Sequence, residues 1–498
     1  DYSFESWLRA ERLSLAASAQ WADSEALAAT RTRRAHAQWQ TTAVELAAGG
    51  ADIRPLLAHA PGVRPLAGAG RVLAAQAEGL TSSAPTQAAS RHFQAAMFLG
   101  QAGLAEESAQ QREAAFLAVA CAVDQGVCES ELAADGPWRH QEVAVQAAPR
   151  IDLGGGWSDT PPFCLDWGGT VLNIAVALEG QYAIRAVLRR LAEPLLRCVS
   201  EDSGEAAQFD SPEQLLAPLE PGSALSLHRA ALQMAQLARP HESLRAALVR
   251  RGGLEMRTSV SLPLGSGLGT SSILAAAVLR ALAEMLGVRL SPNALSDHVM
   301  HLEQQMTTGG GWQDQAGGIF PGAKLVSSGP GLRQRLRVEP VGWTPEREAE
   351  FCERLVLYYT GLRRMAKDLL RQVVGRYLAR ETEAVQVLHS IKTLASEMAW
   401  AMREGEWEQL GRLLDRHWQL NQVLDPNTTN APINALLEEC RTYLAGAKLA
   451  GAGGGGFLLL LARDPEAART LRMRLSGRTP GVLQDFEIAK DGLRVEVH

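Results

Sequence analysis

The sequence predicts an α+β protein in which a long helical region precedes a mixed series of strands and helices. Residues 1–140 are rich in Ala, Gln, Leu and Arg, and their apolar positions recur at helical spacing. Near Gln141 the sequence changes to alternating, β-branched residues, which is typical of strands. After about residue 340 amphipathic patterns dominate until a continuous apolar run begins at Phe457. This mixed order favours an α+β fold over a doubly wound parallel sheet.

The helical region is divided by glycine and proline, and it has no fixed repeat. Breaks are expected at Gly49-Gly50, Pro61-Gly62 and Gly68–Gly70. The pattern predicts several helices, but it does not indicate a catalytic or binding function for this region. A connector, a docking surface and a cap over a neighbouring domain all stay open as roles.

A strand, a glycine-rich loop and a helix are predicted to follow one another in the middle of the chain. The alternation over 254–262 predicts a half-buried strand. Apolar residues then recur at helical spacing from Ser272 to Leu286, and Gly287 is a usual residue just past a helix end. An earlier strand is expected around Val171–Val176.

The last part of the chain is predicted to contain several helices and a buried strand. Four amphipathic or helix-like segments span 363–380, 383–403, 407–422 and 432–445. The strand Phe457–Leu461 follows a glycine run. A further helix begins after Asp464, a capping residue, with Pro465 at its first position.

Length and composition are typical of a folded protein with small-molecule ligands. With 498 residues more than one core is expected, and 46% hydrophobic with 21% charged residues is an ordinary globular balance. The formal net charge of −6 provides no broad attraction for nucleic acid or a membrane surface. The six cysteines form no Cys-x-x-Cys pair, and no leader or apolar run of about 18 residues is evident, so we expect a cytoplasmic protein.

The strongest local signal is the glycine-rich segment Pro263–Ser272 at the strand-to-helix junction. Alternate glycines let a phosphate chain approach the backbone, and the N–H groups at a helix start point toward an anion. The hydroxyls of residues 270–272 are suited to cap the helix and to meet a magnesium ion. The alternative is a flexible loop with a Ser/Thr cap. The spacing fits neither the Rossmann pattern nor the P-loop.

Two carboxylates follow this loop. Glu303 precedes Asp314 by eleven residues, and three glycines at 309–311 allow the backbone to approach a ligand. Phosphoryl transfer needs one carboxylate near the metal and another near the attacking hydroxyl. The alternatives are a solvated helix residue for Glu303 and a turn residue for Asp314.

A third cluster lies in the segment Arg150–Pro162. It combines a guanidinium, three glycines, the indole of Trp157 and the carboxylates of Asp152 and Asp159. Carboxylates accept hydrogen bonds from sugar hydroxyls, and aromatic faces cover the apolar side of a sugar ring, so a sugar site is predicted. The alternative is a structural turn with a buried Trp and an ion pair.

In this order, the three clusters resemble the motifs of the GHMP kinases, the superfamily of galactokinase, homoserine kinase and mevalonate kinase. The family's phosphate loop is matched by Gly265, Ser266, Gly267, Leu268, Gly269, Thr270, Ser271 and Ser272. Its C-terminal glycine motif is matched by Lys448–Gly456. The resemblance implies a ribosomal-S5-like α/β domain over 141–340 and a ferredoxin-like domain over 341–498, preceded by the helical region 1–140 of unknown role.

Within the superfamily, the motif sequences most resemble those of the L-fucose kinases and next those of the heptose-phosphate kinases. The resemblance lies in Gly154–Pro162, in Thr307–Gln315, and in Tyr358–Gly361 leading to Arg363 and Lys367. It implies ATP-dependent, Mg²⁺-assisted phosphorylation of L-fucose at the anomeric hydroxyl, giving L-fucose 1-phosphate for salvage to GDP-fucose.

The resemblance also implies a role for each matching residue. Asp314 and Arg150 would be catalytic, and Ser271 and Glu303 would bind the metal. The substrate would contact Asp159, Trp157, Gly156, Gly311 and Tyr359. ATP would contact the eight loop residues 265–272 together with Gly453 and Gly454. Thr270 stands where many relatives have Ser, and Phe457 ends the glycine motif where a small residue or Cys is common.

Several alternatives stay open at this point. The chain is also compatible with a kinase for a heptose phosphate, galactose or arabinose, with a non-catalytic sugar and nucleotide sensor on the same fold, or with a function centred on residues 1–140 as a helical interaction module. The expected partners are L-fucose and ATP, with no nucleic acid and no membrane, and a homo-oligomer is left open. Animal members carry a nucleotidyltransferase-like region upstream, so an upstream domain of the same polypeptide is expected before Asp1.

Overall fold

The computed structural model describes residues 9, 14–21, 23–126, 132, 136–219, 223, 225–237, 242–263, 265–306, 309–362 and 367–498. The chain divides into two compact units. One consists of residues 1–82 and 87–115, and the other of residues 83–86 and 116–498.

Where the structure describes it, the first unit is helical, as its sequence predicts, but the break expected at Gly68–Gly70 is wrong because one helix runs from Val63 to Glu78. The helices of residues 1–126 are α1 (Leu15–Trp21), α2 (Ser24–Ala48), α3 (Arg54–Ala58), α4 (Val63–Glu78), α5 (Pro85–Gln101) and α6 (Ala105–Gly126), the last of which runs past the end of this unit. The Asp23 carboxylate caps α2 by accepting from the Ala26 N–H, and α2 ends before Gly49, as expected. Leu73 and Phe98 lie in a core built largely from alanine. This composition lets the helices approach closely.

In the residues that the structure describes, the second unit contains three sheets, of which the first has six strands. Their order across the sheet is β15-β1-β4-β7-β5-β6. The strands are β1 (Glu142–Ala147), β4 (Ile184–Leu191), β5 (Leu196–Ser200), β6 (Glu205–Phe209), β7 (Gly253–Val260) and β15 (Arg494–Val497). The helices of this part are α8 (Pro212–Leu216), α9 (Ser226–Met234), α10 (Leu244–Arg251), α11 (Thr270–Leu286) and α12 (Pro292–Gln305). Helix α11 packs against β1 and β4 and is apolar on most of its surface, so it forms the centre of this core.

The second sheet has five strands and supplies much of the cavity described below. Its order is β14-β3-β8-β9, with β2 also paired to β3. Its strands are β2 (Arg150–Gly154), β3 (Thr170–Leu178), β8 (Ala323–Ser327), β9 (Arg337–Pro340) and β14 (Phe486–Ile488). Two short helices belong to the same region, α7 (Phe163–Trp167) and α13 (Gln313–Ile319).

The third sheet has four strands in the order β11-β12-β10-β13, and all its pairs are antiparallel. The strands are β10 (Leu355–Tyr359), β11 (Leu444–Leu449), β12 (Phe457–Ala462) and β13 (Val482–Gln484). The helices are α14 (Pro345–Arg354), α15 (Lys367–Leu378), α16 (Thr382–Glu404), α17 (Trp407–Leu424), α18 (Ala431–Cys440) and α19 (Pro465–Leu475). From β10 to β13 the chain follows the β-α-β-β-α-β order of a ferredoxin-like domain.

The apolar run at Phe457 is explained by burial on both faces of this sheet. Along β12, Phe457, Leu459 and Leu461 face one core, whereas Leu458 and Leu460 face another. Because side chains alternate along a strand, two buried faces require an uninterrupted apolar sequence. The predicted strand is therefore confirmed, as is the Asp464 cap on α19, whose carboxylate accepts from the Ala467 N–H at 2.7 Å.

One predicted helix is too long. The segment 432–445 is helical only to Cys440, a short 3₁₀ turn spans Arg441–Tyr443, and Leu444 already begins β11. Pairing with β12 outweighs the local helical pattern here, because β11 joins its hydrogen-bond ladder.

The domain boundaries at 140 and 340 stay predictions. Strand β15 pairs with β1 and β14 pairs with β3, so the last strands lie in sheets that also contain residues of the 141–340 segment. In the part of the chain that the structure describes, no helix is long and apolar enough to cross a membrane.

Candidate active site

A cavity of about 300 Å³ brings together residues from all three sequence clusters. Its size is at the lower end of the range for small-molecule sites. Its wall is formed by Arg150, Asp152, Gly156, Trp157, Thr160, Gly267, Gly269, Ser271, Ser272, Glu303, Gly310, Gly311, Gln313, Asp314, Leu370, Asn421, Gly451 and Ala452.

Arg150, at the start of β2, links the first cluster to the other two. Its Nε and Nη2 donate to Asp314 Oδ1 at 3.0 and 2.5 Å, and its Nη1 donates to the Gly267 carbonyl oxygen at 2.6 Å. The Arg150 side chain is only 3% exposed and that of Asp314 is 28% exposed. Burial by itself lowers the pKa of the Arg150 guanidinium, but the neighbouring carboxylates of Asp314 and Asp152 raise it above its ordinary value. Arg150 is therefore a permanent cation at the base of the cavity.

The glycine loop bends sharply before α11 and has no room for side chains. Gly267 and Gly269 have φ angles of +81° and +73°, in the left-handed region that favours glycine. A Cβ atom on Gly269 would lie 3.1 Å from the Asp314 Cβ, and one on Gly267 would lie 2.6 Å from the Ala450 carbonyl oxygen. The loop therefore fits closely between Asp314 and the C-terminal glycine segment. The N-terminus of the 17-residue helix α11 follows directly and offers unpaired N–H groups to an anion.

Glu303, near the end of α12, is buried beside the start of α11. Its Oε1 accepts a short hydrogen bond from the Ser272 hydroxyl. Burial raises the pKa of Glu303 to about 8, with a smaller upward contribution from Asp314 and Asp159, and the Ser272 hydrogen bond opposes this shift. A cation in the cavity would favour the ionised form.

Ser271 and Ser272 differ in position although they are neighbours in sequence. Ser272 is buried against Glu303, whereas Ser271 is exposed and lines the cavity. Both hydroxyls and the Glu303 carboxylate are hard oxygen donors, which suit Mg²⁺. No group of three or more His, Cys, Asp and Glu side chains forms a metal cluster in the described ranges. A magnesium site with few protein ligands fits, because Mg²⁺ usually keeps waters and substrate phosphates as its other ligands.

Asp159 is fully buried and holds two loops together. Its Oδ1 accepts from the Trp157 N–H at 3.1 Å and its Oδ2 accepts from the Gln313 N–H at 3.0 Å. Burial raises the pKa of Asp159 to about 7, against the hydrogen bond from Gln313. Asp159 is not among the residues that line the cavity, although Gly156, Trp157 and Gly311 are.

Some residues singled out from the sequence lie elsewhere. The Tyr359 ring packs against the Phe457 ring at 5.2 Å, and Gly453 and Gly454 pack against Thr428, whereas Gly451 and Ala452 line the cavity in their place. Leu264, Thr307, Thr308, Arg363 and the side chain of Lys367 lie outside the described residues.

The sequence patterns missed a buried ion pair at the cavity wall. Lys448 Nζ donates to Asp152 Oδ2 at 2.9 Å, and the two side chains are 0% and 2% exposed. Burial favours the neutral form of Asp152, but Lys448 and, more weakly, His417 and Arg150 outweigh it and hold the pKa of Asp152 below its ordinary value. The only available signal was its place two residues after Arg150, on the same face of β2.

Two family models match this chain. The model described as GHMP kinases N terminal domain matches residues 229–322, and that described as GHMP kinases C terminal matches residues 398–478. The chain contains both GHMP kinase domains. This confirms the fold predicted from the sequence, including the helical region that precedes the kinase domains.

Curated relatives of this chain include two bifunctional proteins. A bifunctional fucokinase/GDP-fucose pyrophosphorylase from Arabidopsis thaliana is 37% identical over 341 residues, which is 68% of this chain and 32% of the relative. An L-fucokinase/L-fucose-1-P guanylyltransferase from Bacteroides fragilis is 35% identical over 349 residues, which is 68% of this chain and 36% of the relative. This chain thus spans about a third of the length of these relatives.

A third relative is matched over nearly its whole length. A D-glycero-α-D-manno-heptose 7-phosphate kinase from Campylobacter jejuni is 25% identical over 354 residues, which is 71% of this chain and 98% of the relative. This agrees with the two branches that the motifs resemble.

Solved structures share the fold at low sequence identity. A D-glycero-D-manno-heptose 1-phosphate kinase from Bacteroides thetaiotaomicron has a TM-score of 0.55 at 20% identity, covering 72% of this chain and 99% of that one. Galactokinase from Lactococcus lactis, complexed with galactose, has a TM-score of 0.53 at 17% identity, covering 72% and 95%. These likenesses are evidence for the fold alone.

Proposed function

We propose that this chain transfers the γ-phosphoryl group of ATP to the anomeric hydroxyl of L-fucose, giving L-fucose 1-phosphate. The observation that carries the proposal is the contact of Arg150 with both Asp314 and the Gly267 carbonyl, because it joins the carboxylate to the phosphate-binding loop in one cavity. The choice of L-fucose is supported by the two fucokinase relatives at 37% and 35% identity.

Phosphoryl transfer depends mainly on positioning and on stabilising negative charge. In this proposal Asp314 orients the sugar hydroxyl or accepts its proton, and it is partly exposed to the cavity. Arg150 and the N–H groups at the start of α11 stabilise the charge that develops on the transferred phosphoryl group. ATP phosphates occupy the loop 265–272, beside Gly451 and Ala452, which line the same cavity.

Glu303 and Ser271 would hold Mg²⁺, with Ser272 orienting the Glu303 carboxylate through its hydrogen bond. Bound Mg²⁺ supplies charge neutralisation for the β- and γ-phosphates. The residues themselves bind, orient and exclude water, and no covalent intermediate is needed.

In the proposal, residues 141–340 form the N-terminal kinase domain, which binds the sugar and the phosphates. Residues 341–498 form the C-terminal kinase domain. The proposal leaves the role of 1–140 open. Since the two fucokinase relatives are bifunctional by name, a nucleotidyltransferase-like region upstream in the same polypeptide and a place in cytoplasmic fucose salvage are part of the proposal.

The test is ADP release with MgATP and a panel of free L-fucose, D-galactose, D-arabinose and a heptose 7-phosphate. We expect kcat/KM to be highest for L-fucose. A higher kcat/KM for the heptose phosphate would favour the substrate of the Campylobacter jejuni relative instead. This chain is 25% identical to that relative over 98% of the relative's length. Sugar and nucleotide binding without ADP release would favour a non-catalytic sensor.

A further inference from the structure

Three acceptor oxygens in the cavity wall have no hydrogen-bond partner among the described residues. They are Asp152 Oδ1, Gln313 Oε1 and Asn421 Oδ1, and each is shielded from bulk solvent. Asp152 and Asn421 are 1% and 2% exposed. Buried acceptors that protein groups do not satisfy require another donor, since nearly all buried polar groups in folded proteins are hydrogen-bonded.

The Asp152 carboxylate is held so that only one oxygen is used by the protein. Lys448 Nζ donates to Oδ2, and the same Nζ lies 3.4 Å from the Leu153 carbonyl oxygen. Oδ1 has no hydrogen-bond partner among the described residues, and Asp152 lines the cavity. An ionised carboxylate is an acceptor only, so its natural partner is a donor such as a hydroxyl.

Gly156 lies between Asp152 and Gln313 and marks the point at which they converge. A Cβ atom placed there would be 2.9 Å from Asp152 Oδ2 and 3.1 Å from Gln313 Oε1. Gly156 is not one of the glycines with positive φ, so the chain tolerates other residues here as far as backbone conformation is concerned. The absence of a side chain keeps this space open.

Asn421 reaches the same wall from α17. His417, one turn earlier on the helix, accepts from the Gly155 N–H through Nε2 at 3.1 Å. Residues four apart share a helix face. The contact that packs α17 on the segment after β2 therefore also turns Asn421 toward the cavity.

We propose that Asp152, Gln313 and Asn421 form the subsite that accepts hydrogen bonds from the hydroxyls of the sugar substrate. This inference rests on the proposed sugar kinase function and identifies the residues that select its substrate. Asp159, the carboxylate expected from the sequence, is already engaged by two backbone N–H groups and positions the loops instead.

The subsite suits a neutral polyhydroxylated ligand. Arg150 is the one cation among the described residues of the cavity wall, and its donors are directed to Asp314 and the Gly267 carbonyl. A wall that offers acceptors and several carboxylates favours hydroxyl donors over an anionic group. A free sugar is therefore preferred here to a sugar whose phosphate would enter this subsite.

The first test compares Asn421→Ala with Gln422→Ala. Gln422 is the matched control because it is next on the same helix, donates to the Trp418 carbonyl oxygen at 3.2 Å and does not line the cavity. We expect Asn421→Ala to raise KM for L-fucose at least tenfold, with KM for ATP and the thermal midpoint close to those of Gln422→Ala. Equal sugar KM values in the two variants would overturn the proposal.

A second variant, Gly156→Ala, fills the space between Asp152 and Gln313. We expect a rise in sugar KM with little change in KM for ATP. Asp152→Asn also tests the subsite but removes the charge that pairs with Lys448, whereas Gly156→Ala keeps both charged groups and remains a test if Asp152→Asn fails to fold. A Gly156→Ala enzyme with the sugar KM of the wild type would contradict the subsite.

Monodeoxy analogues of L-fucose test the contacts directly. If the subsite is correct, one deoxy sugar loses affinity in the wild type but shows no further loss in Asn421→Ala, because the same hydrogen bond is missing in both cases. Additive losses for every deoxy sugar would contradict it.

Binding of L-fucose, measured by saturation-transfer NMR, separates this inference from the proposed function. Binding that Asn421→Ala abolishes, without turnover in the wild type, would refute the kinase function and retain the subsite. Turnover that the variants do not affect would refute the subsite and retain the function. Absence of sugar binding in the wild type would refute both.

Discussion

Arg150 uses three of its donors within the protein, two toward Asp314 and one toward the Gly267 carbonyl. A lysine could not reproduce this planar, forked arrangement. In the proposed function, the Asp314 carboxylate that would orient the nucleophile is thus held at a set position relative to the glycine loop 265–269. Small errors in such positioning are costly in phosphoryl transfer.

Asp314→Asn should lower kcat by about 10² to 10⁴, the range for loss of an acid–base group. The amide keeps the size of the side chain but cannot take a proton, so KM for ATP should change little. Coupled ADP release under saturating substrates measures the effect. Asp202→Asn, an exposed substitution after β5, is the control. Undiminished kcat in Asp314→Asn would remove Asp314 from the proposed role.

Ser272→Ala should raise the Mg²⁺ concentration needed for half-maximal velocity by about 10- to 100-fold, the usual effect of losing a group that orients a metal ligand. Ser272→Thr keeps the hydroxyl that donates to Glu303 and should restore most of the affinity. A Mg²⁺ titration at fixed ATP compares the variants. If Ser272→Ala needs no more Mg²⁺ than the wild type, Ser272 does not position Glu303.

At the scale of elements, the site depends on two strand-to-loop junctions and the start of one helix. Strand β2 places Arg150 and Asp152 on one face, and α11 begins directly after Gly269. Loops 154–162 and 309–314 then meet through the Asp159 carboxylate, which bonds to both.

The loop contact made by Asp159 should depend on pH. The pKa of Asp159 is raised from 3.8 to about 7, so the folded state favours the protonated carboxyl more than the unfolded state does. The protonated carboxyl therefore contributes stability to the fold below about pH 3.8, and this contribution is lost as pH rises through 7. Asp159→Asn does not titrate. Because only the wild type loses stability as pH rises, the difference in free energy of unfolding between the wild type and Asp159→Asn should shrink between pH 5 and pH 8. The expected change is on the order of 2 kcal/mol.

Urea unfolding of both proteins at four pH values between 5 and 8 measures this difference. Asp202→Asn, an exposed substitution, again serves as the control. A destabilisation by Asp159→Asn that is the same at every pH would show that the Asp159 carboxyl titrates normally in the folded protein.

The elements and motifs predictable from the sequence are those with local signals. The strand before the glycine loop, the helix after it and the buried strand at Phe457 follow from periodicity and glycine placement, and the structure contains all three. The convergence of Arg150, Glu303 and Asp314 was expected only because their residue types suit one chemistry together.

What the sequence could not predict depends on contacts between distant segments. Lys448 and Asp152 are 296 positions apart, and nothing local in either segment specifies the pair. Whether Ser271 or Ser272 faces Glu303 depends on the rotation of α11, which its packing on the first sheet determines. The end of α18 at Cys440 likewise depends on the pairing of β11 with β12.

At the scale of the whole molecule, the chain consists of two compact units with separate cores. The first unit is built around residues such as Leu73 and Phe98, and the second around its described sheets. The cavity residues all belong to the second unit. Ligands of that cavity stabilise the unit that binds them.

Differential scanning calorimetry of the full chain should show two transitions. A non-hydrolysable ATP analogue with Mg²⁺ should raise the midpoint of the larger transition by several degrees and leave the smaller one in place. The comparison without nucleotide is the control. A single transition that moves as a whole would mean that the two units unfold as one cooperative system.

The most direct test of the proposed function is the chemical identity of the product. After incubation with equimolar MgATP and L-fucose, ³¹P and ¹H NMR should show a sugar phosphate whose phosphorus couples to the anomeric proton, formed in equal amount with ADP. Release of inorganic phosphate without any phosphorylated sugar, or phosphate on another carbon, would contradict the proposed transfer to the anomeric hydroxyl.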